Sequence, residues 1–369
     1  MSFFSELFLG ILSGYLAFTG ALASQIEGFI ATEDGPGVQL TERALTPLPS
    51  DYEYGGALPT ILIESAPYQA ANAISALTSA VPESATPAES VVNVFCEYRT
   101  PEYIRTTTGS GFFVSPNGVI LTNAHVAQFL LLEGMSENAK TDCVIRMGSP
   151  ATDRYEAELL YISPAWVYEH ADLITANNPR GTGERDYALL YVTRSSDGSP
   201  LPRTLPYIHP DTTLLPSGSH GDPLSVSGYP GTTIDANDPA FRPTLETASS
   251  SIFDLYTFGS NYADLISLTG SAVGASGVSG GPVLNDDGHA IGVVVTRGND
   301  NTQGPGSLNA ITLPYIDRTI TEETTLTLYE SLTGDLPRKA KIFKDTLTPF
   351  LAELLERELT TSSSSLPTN

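Results

Sequence analysis

The chain has 369 residues, of which 41% are hydrophobic, so it is long enough and apolar enough to form a buried core. Its 42 acidic and 18 basic residues leave a net charge of −24, which would repel an anionic nucleic-acid backbone and argues against nucleic acid as a partner. The two cysteines and five histidines have no metal-ligand spacing, so we expect no metal and no cofactor.

The N-terminus begins with an uncharged run over residues 7–26 that is long enough to enter a membrane. Ala21-Leu22-Ala23 would suit signal peptidase, although no Lys or Arg precedes the run and Glu6 lies where a positive charge is usual. We predict export to the periplasm, the cell surface or the medium, with residues 1–26 as a cleaved signal peptide or a retained membrane anchor. A buried or amphipathic interaction helix is the alternative.

Residues 27–88 are rich in Ala, Pro, Ser, Thr and Glu and have no sustained hydrophobic period. Such a composition is typical of a chain that cannot bury enough apolar surface to fold. We therefore predict a flexible low-complexity linker over this segment.

A hairpin that ends in a histidine follows a first strand at Val91–Cys96. Residues 112–114 and 119–122 are rich in β-branched and aromatic side chains, and Pro116-Asn117-Gly118 between them provides turn residues with an Asn-Gly step. His125 comes directly after the second of these strands. A single histidine at a strand end is most often structural, so its role depends on what else the chain offers.

The nucleophile candidate is Ser279, which lies in the glycine-rich stretch 274–284 and is followed by Gly280-Gly281-Pro282. A serine hydroxyl needs a base within reach and backbone N–H groups that face the developing oxyanion. Gly277 would let its N–H approach a substrate without a Cβ in the way. The alternative is a Gly/Ser-rich loop with no chemistry.

Further strands are predicted on both sides of this serine, at residues 224–228, 245–258, 264–269 and 290–296. The tail from Pro337 to Leu359 has apolar residues at helical spacing and predicts an amphipathic helix that Pro349 kinks. We expect this helix to pack against the rest of the protein, with oligomerisation or membrane-surface contact as alternatives. Residues 360–369 predict a disordered end.

The residues 122–126, Thr-Asn-Ala-His-Val, together with 277–282, Gly-Val-Ser-Gly-Gly-Pro, resemble the trypsin-like (chymotrypsin-fold) serine proteases, nearest the HtrA-like branch. Val278 stands where digestive enzymes of the family carry an aspartate, which favours that branch. Only 90 residues follow Ser279, too few for the rest of a barrel and a PDZ domain.

The resemblance implies an all-β fold of two six-stranded antiparallel Greek-key β-barrels over residues 89–320. The flexible N-terminal segment would precede these barrels. An amphipathic helix and a disordered tail would occupy residues 321–369.

The resemblance also implies a catalytic triad, because family members place His, Asp and Ser in that order along the chain. Asp186 precedes an apolar strand as the family's aspartate does, whereas the competing Asp172 does not lead into a strand. By this analogy Ser279 attacks, His125 moves the proton and Asp186 orients the histidine. The N–H groups of Gly277 and Ser279 would form the oxyanion hole.

The family's primary pocket maps to Val273, six positions before the serine, with Val295 on the opposite wall. This pair implies an apolar pocket for small or medium aliphatic side chains. The strand after the serine would bind an extended peptide through the backbone of Val293, Val294, Val295 and Thr296.

The strands that carry Cys96 and Cys143 are neighbours in the family's first barrel. A disulfide between them is therefore feasible and would suit an oxidising compartment, while two reduced cysteines remain the alternative.

The resemblance implies a serine endopeptidase that acts on unfolded or extended proteins or peptides. One alternative is a catalytically silent module that only binds peptides. The other is an esterase or another acyl hydrolase, which the same triad could serve.

Overall fold

A computed structural model describes residues 61–72, 84–135, 139–176, 181–231 and 241–364. All of them belong to the second of two units, residues 58–369, so the predicted signal peptide or anchor at 1–26 lies outside the described residues. Among the residues that are described, no helix has the length and apolar character needed to cross a membrane.

The first barrel contains six antiparallel strands in the closed order β1-β2-β3-β6-β5-β4. They are β1 (Val91–Arg99), β2 (Ile104–Ser115), β3 (Val119–Thr122), β4 (Lys140–Met147), β5 (Thr152–Ile162) and β6 (Ala188–Ser195). Phe112, Ile120 and Leu190 are fully buried in this part of the core. Closure pairs every strand on both sides and leaves no open sheet edge.

The second barrel repeats this connectivity in the closed order β10-β11-β12-β9-β8-β7. Its strands are β7 (Pro223–Gly228), β8 (Glu246–Tyr256), β9 (Leu265–Leu268), β10 (Pro282–Leu284), β11 (Ala290–Arg297) and β12 (Leu308–Thr312). The predicted fold of two six-stranded antiparallel barrels is confirmed. The catalytic candidates lie in the segments between these strands. The closed barrels hold the two ends of each such segment at fixed positions.

Nine α-helices that begin and end within the described residues lie outside the strands. They are α1 (Ala66–Asn72), α2 (Pro87–Ser90), α3 (Ala124–Ala127), α4 (Pro164–His170), α5 (Asp300–Gln303), α6 (Leu313–Thr324), α7 (Leu328–Ser331), α8 (Leu336–Thr346) and α9 (Thr348–Ser364). Helix α6 spans residue 320, where the predicted protease domain ends.

The C-terminal segment is not the single kinked helix that its spacing predicts. Helices α8 and α9 meet at the buried Leu347, and Pro349 lies in the first turn of α9. A proline is tolerated at that point because no helical partner exists for its missing N–H, whereas inside a helix it would clash with the preceding turn. Helix α9 also continues to Ser364, so the predicted disorder from residue 360 is wrong for 360–364.

The predicted flexible linker over residues 27–88 is wrong for residues 61–72. Residues 61–63 are helical and α1 follows them, with three side chains buried in the core: Leu62, Tyr68 and Ala71. Asp335 N donates to Ala71 O at 2.9 Å, and Gln69 Nε2 donates to Thr324 O at 3.0 Å. The segment is ordered because it buries these few apolar side chains against the C-terminal helices.

A disulfide joins Cys96 to Cys143, which face each other in the β1–β4 register. It spans 47 residues of the chain and closes the first barrel covalently at the point where its first and fourth strands meet. The sequence alone leaves the oxidised and reduced states open.

The burial of α1 predicts a stability difference between two tyrosines. Tyr68 is 2% exposed and Tyr329 is 67% exposed. We expect Tyr68→Ala to lower the free energy of unfolding by about 3 kcal/mol, because it removes a buried aromatic ring and leaves a cavity. Tyr329→Ala should change it by less than about 0.5 kcal/mol. Denaturant unfolding of the full chain measures both, and equal effects would show that α1 adds nothing to the fold.

Candidate active site

His125 lies on α3, a single helical turn that begins directly after β3. All four residues of this turn are buried, and the histidine itself is 3% exposed. Val126 packs so closely on β2 that a Cβ on Gly109 would lie 2.5 Å from Val126 Cγ2. This contact leaves the helical turn, and with it the histidine, little freedom to move.

Asp186 is fully buried and binds the histidine twice. His125 Nδ1 lies 2.8 Å from Asp186 Oδ2, and the backbone N–H of His125 donates to Oδ1 at 3.0 Å. We assign the ring proton to Nδ1 because an ionised carboxylate can only accept. The assignment leaves Nε2 with a free lone pair, as a general base requires.

Two further residues, Thr182 and Asn123, bind the aspartate. Thr182 N donates to Asp186 Oδ2 at 3.2 Å, and Trp166 Nε1 in turn donates to Thr182 Oγ1 at 2.8 Å. Asn123 Nδ2 donates to the carbonyl oxygen of Asp186 at 2.8 Å. Asp172, the competing aspartate, is exposed in the 3₁₀ helix Ala171–Thr175. The structure therefore brings Asp186 to the histidine.

The serine loop is tied to the first barrel through Ser110. Ser110 N donates to Ser279 O at 2.7 Å, and Thr122 Oγ1 donates to Ser110 O at 2.6 Å. Gly280 has a φ of +88°, and a Cβ at that position would lie 1.9 Å from Ser110 O. The half-buried Ser279 is thus held beside the end of β3, from which the His125 turn starts.

Within the described residues, the Ser279 hydroxyl and the His125 ring do not form a hydrogen bond with each other. Catalytic hydrogen bonds are commonly long without substrate and shorten when it binds. Ser110 links the segments that carry the two residues, since it binds Ser279 O on one side and Thr122 on the other.

Gly277 holds a conformation that only glycine adopts easily, with a φ of +89°. Its carbonyl oxygen accepts from Ser110 Oγ at 2.7 Å, and that hydroxyl accepts from Tyr229 N at 2.9 Å. In the part of the chain that is described, the N–H groups of Gly277 and Ser279 have no protein acceptor. Two such donors, the N–H of the candidate nucleophile and the N–H two residues before it, suit an oxyanion.

The two predicted pocket residues, Val273 and Val295, pack in different hydrophobic clusters. Val273 is fully buried in the interior of the second barrel with Val278 and Val294. Val295 is also fully buried, but it packs with the cluster around Tyr187 that extends over the first barrel. The two valines lie in different clusters because the register of β11 shifts between Val294 and Thr296.

The backbone of β11 is available to a peptide over less of its length than predicted. Val293 pairs with Pro282 and Ile311, and Val294 exchanges hydrogen bonds with Gly280 and Gly281 at 2.8 and 2.9 Å. These two residues cannot bind an extended peptide because their backbone groups are already used.

The carbonyl of Val295 is also covered. A Cβ on Gly181 would lie 1.8 Å from Val295 O, so that loop is in direct contact with the strand. Thr296 pairs with Asn309 of β12, and the β10 ladder does not reach it. Of the four predicted positions, Thr296 is the one whose second edge has no strand partner among the described residues.

Sequence reasoning missed Ser110, Thr182 and Asn123, which hold the serine loop and the aspartate. The Gly109-Ser110-Gly111 triplet before an apolar strand was a usable signal, since paired glycines in a strand indicate close approach of another backbone. Asn123 lies inside the motif already identified, but Thr182 carries no local signal. No group of three His, Cys, Asp or Glu residues in the described ranges could hold a metal ion.

Residues 109–293, half of the chain, match the family model of the trypsin-like peptidase domain. The chain belongs to the trypsin-like peptidase family. Its fold is also similar to a crystal structure of the Rv3671c protease from M. tuberculosis in its active form, with 19% identity and a TM-score of 0.38 over 67% of this chain and 91% of that one. No curated protein matches the sequence.

The membership assigns the chain to the peptidase hydrolases, whose substrates are proteins. The matched residues contain His125, Asp186 and Ser279.

The tight contact at Gly280 in this peptidase domain predicts a loss of stability and of activity. Gly280→Ala should lower the free energy of unfolding by about 3 kcal/mol and abolish digestion of an unfolded protein, since the new Cβ would push the serine loop away from β2. Gly288 is the matched control, because its φ is +74° and nothing lies within 4 Å of an added Cβ.

Gly288→Ala should lower the stability by only about 1 kcal/mol and leave digestion intact. Equal effects of the two substitutions would mean that positive φ, and not the contact with Ser110, makes glycine necessary at position 280.

Proposed function

We propose that this peptidase is a serine endopeptidase that uses Ser279, His125 and Asp186 as its catalytic triad. The observation that carries the proposal is the buried pair of His125 and Asp186, in which one carboxylate binds both the ring and the backbone of the histidine. A carboxylate taken fully out of water is costly unless donors surround it. Such an arrangement gives the imidazole one orientation and one tautomer, which suits proton transfer.

The proposed reaction has two halves. Ser279 Oγ attacks the scissile carbonyl carbon while His125 Nε2 takes the hydroxyl proton, and the protonated ring then gives that proton to the leaving amine as the C–N bond breaks. Water next attacks the acyl-enzyme ester, with the same ring as base and then acid, and releases the carboxylic acid. Asp186 stays ionised throughout and stabilises the imidazolium.

The N–H groups of Gly277 and Ser279 are proposed to bind the oxyanion in both halves. This proposal is supported by the two bonds that Ser110 makes to the loop: its N–H donates to Ser279 O and its hydroxyl donates to Gly277 O. A donor that is already oriented needs no reorganisation when charge develops on the substrate oxygen.

We propose unfolded or extended proteins as substrates, with small or medium aliphatic side chains at the cleaved position. In support, residues 271–276 before the nucleophile are small or aliphatic and uncharged, so no acidic group is available there to select Lys or Arg. The edge of β11 at Thr296 would pair with the peptide backbone.

We also propose that the protein is exported, with residues 1–26 as the signal or anchor. The disulfide between Cys96 and Cys143 supports this, because disulfides persist mainly in oxidising compartments.

Labelling of the full chain with a fluorophosphonate serine probe tests the triad. The label should be lost in Ser279→Ala and retained in Ser217→Ala, whose serine lies exposed in a turn of the second half. Digestion of an unfolded protein should fall at least about a thousandfold in Ser279→Ala, because the nucleophile is removed. Mapping of the cut sites should find small or aliphatic residues before the cleaved bond.

Absence of both labelling and digestion in the wild-type chain would favour a silent peptide-binding module. Labelling with ester hydrolysis but no peptide cleavage would favour an esterase. Cuts confined to positions after Lys or Arg would overturn the proposed substrate preference while leaving the triad in place.

A further inference from the structure

The residue before Asp186 forms an ion pair with a distant helix. Arg185 Nη1 donates to Glu323 Oε1 at 2.6 Å, and its Nη2 donates to Glu322 Oε2 at 3.2 Å. The Glu323 side chain is 4% exposed and that of Arg185 is 18% exposed, whereas that of Glu322 is 52% exposed. Only the contact with Glu323 is therefore shielded enough from water to hold the loop strongly.

Glu323 is itself held in place from the first barrel. Tyr161 OH donates to Glu323 Oε2, and Ser163 Oγ donates to Oε1 at 3.0 Å. Both donors lie at the end of β5 and the start of α4, whereas Glu323 belongs to α6. The carboxylate thus joins the barrel, the C-terminal helix and the loop of Asp186 at one point.

Helix α6 holds the neighbours of Asp186 on both sides. The N–H of Arg185 donates to Tyr315 OH at 3.0 Å, and the hydroxyls of Tyr187 and Thr319 lie 2.9 Å apart. Tyr187 is fully buried. None of these contacts involves the carboxylate of Asp186, so they set the position of its backbone.

Arg185 has a φ of 53°, in the left-handed region that non-glycine residues rarely adopt. Such a conformation is unfavourable and persists only where surrounding contacts impose it. The imposed turn lies directly before the aspartate, where a small change in backbone angle would move the carboxylate away from His125.

We propose that Arg185 and Glu323 are positioning residues of the triad, acting through Asp186. The ion pair holds the left-handed turn at Arg185, and this turn aims the Asp186 carboxylate at the N–H and ring of His125. Hydrogen bonds between a guanidinium and a carboxylate are directional, unlike apolar packing. The ion pair therefore determines the orientation of the Arg185 side chain as well as its distance from Glu323. The inference rests on the proposed function, since it assigns a role to the orientation of a triad member.

The test compares Glu323→Gln and Arg185→Gly with Glu322→Gln in the full chain. Glu322→Gln is the matched control, since it removes a neighbouring charge that faces the same arginine from an exposed position. Arg185→Gly suits the left-handed backbone, so its effect reports the missing guanidinium and not strain. Arg185→Lys keeps the charge and should restore part of the loss.

For digestion of an unfolded protein, we expect Glu323→Gln and Arg185→Gly to lower kcat by about tenfold to a hundredfold with KM unchanged, because a displaced catalytic group slows the chemical step without weakening binding. The low-field proton resonance of His125 Nδ1–H, which reports its bond to Asp186 directly, should broaden or disappear in both variants. The control should retain the kcat and the resonance of the wild type.

The positioning role is wrong if the two variants are folded by near-ultraviolet circular dichroism and retain wild-type kcat and the resonance. If the wild-type chain neither labels nor digests, the proposed function fails, and the resonance alone then decides the positioning role. Removal of one partner of a buried pair can prevent folding, so the double variant Arg185→Gly/Glu323→Gln, which leaves no unpaired buried charge, is measured in the same way.

Discussion

The site depends on one buried charge, the carboxylate of Asp186. A fully buried carboxylate is unstable unless protein donors replace the water it has lost, and its donors come from the His125 backbone, the His125 ring and Thr182 N. The need for these donors also fixes the positions of the segments that provide them. The loop that carries Thr182, the turn that carries His125 and the start of β6 must all converge on one side chain, and the histidine has a single orientation as a result.

The two barrels provide the rigidity that this convergence needs. Each barrel is closed, so a loop between its strands begins and ends at fixed points. Ser110 connects the barrels at the site, because its N–H and hydroxyl bind the serine loop while its carbonyl accepts from Thr122. Gly280 lets the two backbones approach this closely. Ser279 and His125, the proposed nucleophile and base, therefore belong to different barrels, and Ser110 links the segments that carry them.

The C-terminal helices are part of the same arrangement. Helix α6 contacts the residues on both sides of Asp186, and α1 contacts the end of α6 through Gln69 and Thr324. Lys339 of α8 is buried, which lowers its pKa to about 8, and its ammonium group donates to Asn72 Oδ1 and to two backbone carbonyls. Segments from both ends of the described chain thus support the loop of the aspartate.

The sequence by itself determined the hairpin at Gly118, the motif around His125 and the serine loop, and the resemblance of these motifs to a known family implied the two-barrel fold. The hairpin and the two motifs depend on local rules, because a positive φ favours glycine and strands favour alternating or apolar runs. Only the tertiary structure decided the burial of α1, the separation of Val273 from Val295 and the pairing of Arg185 with Glu323. The burial of α1 and the pairing of Arg185 with Glu323 involve residues more than a hundred positions apart. The placing of Val273 and Val295 follows from a register shift in β11. No local pattern contains the partner of such a residue.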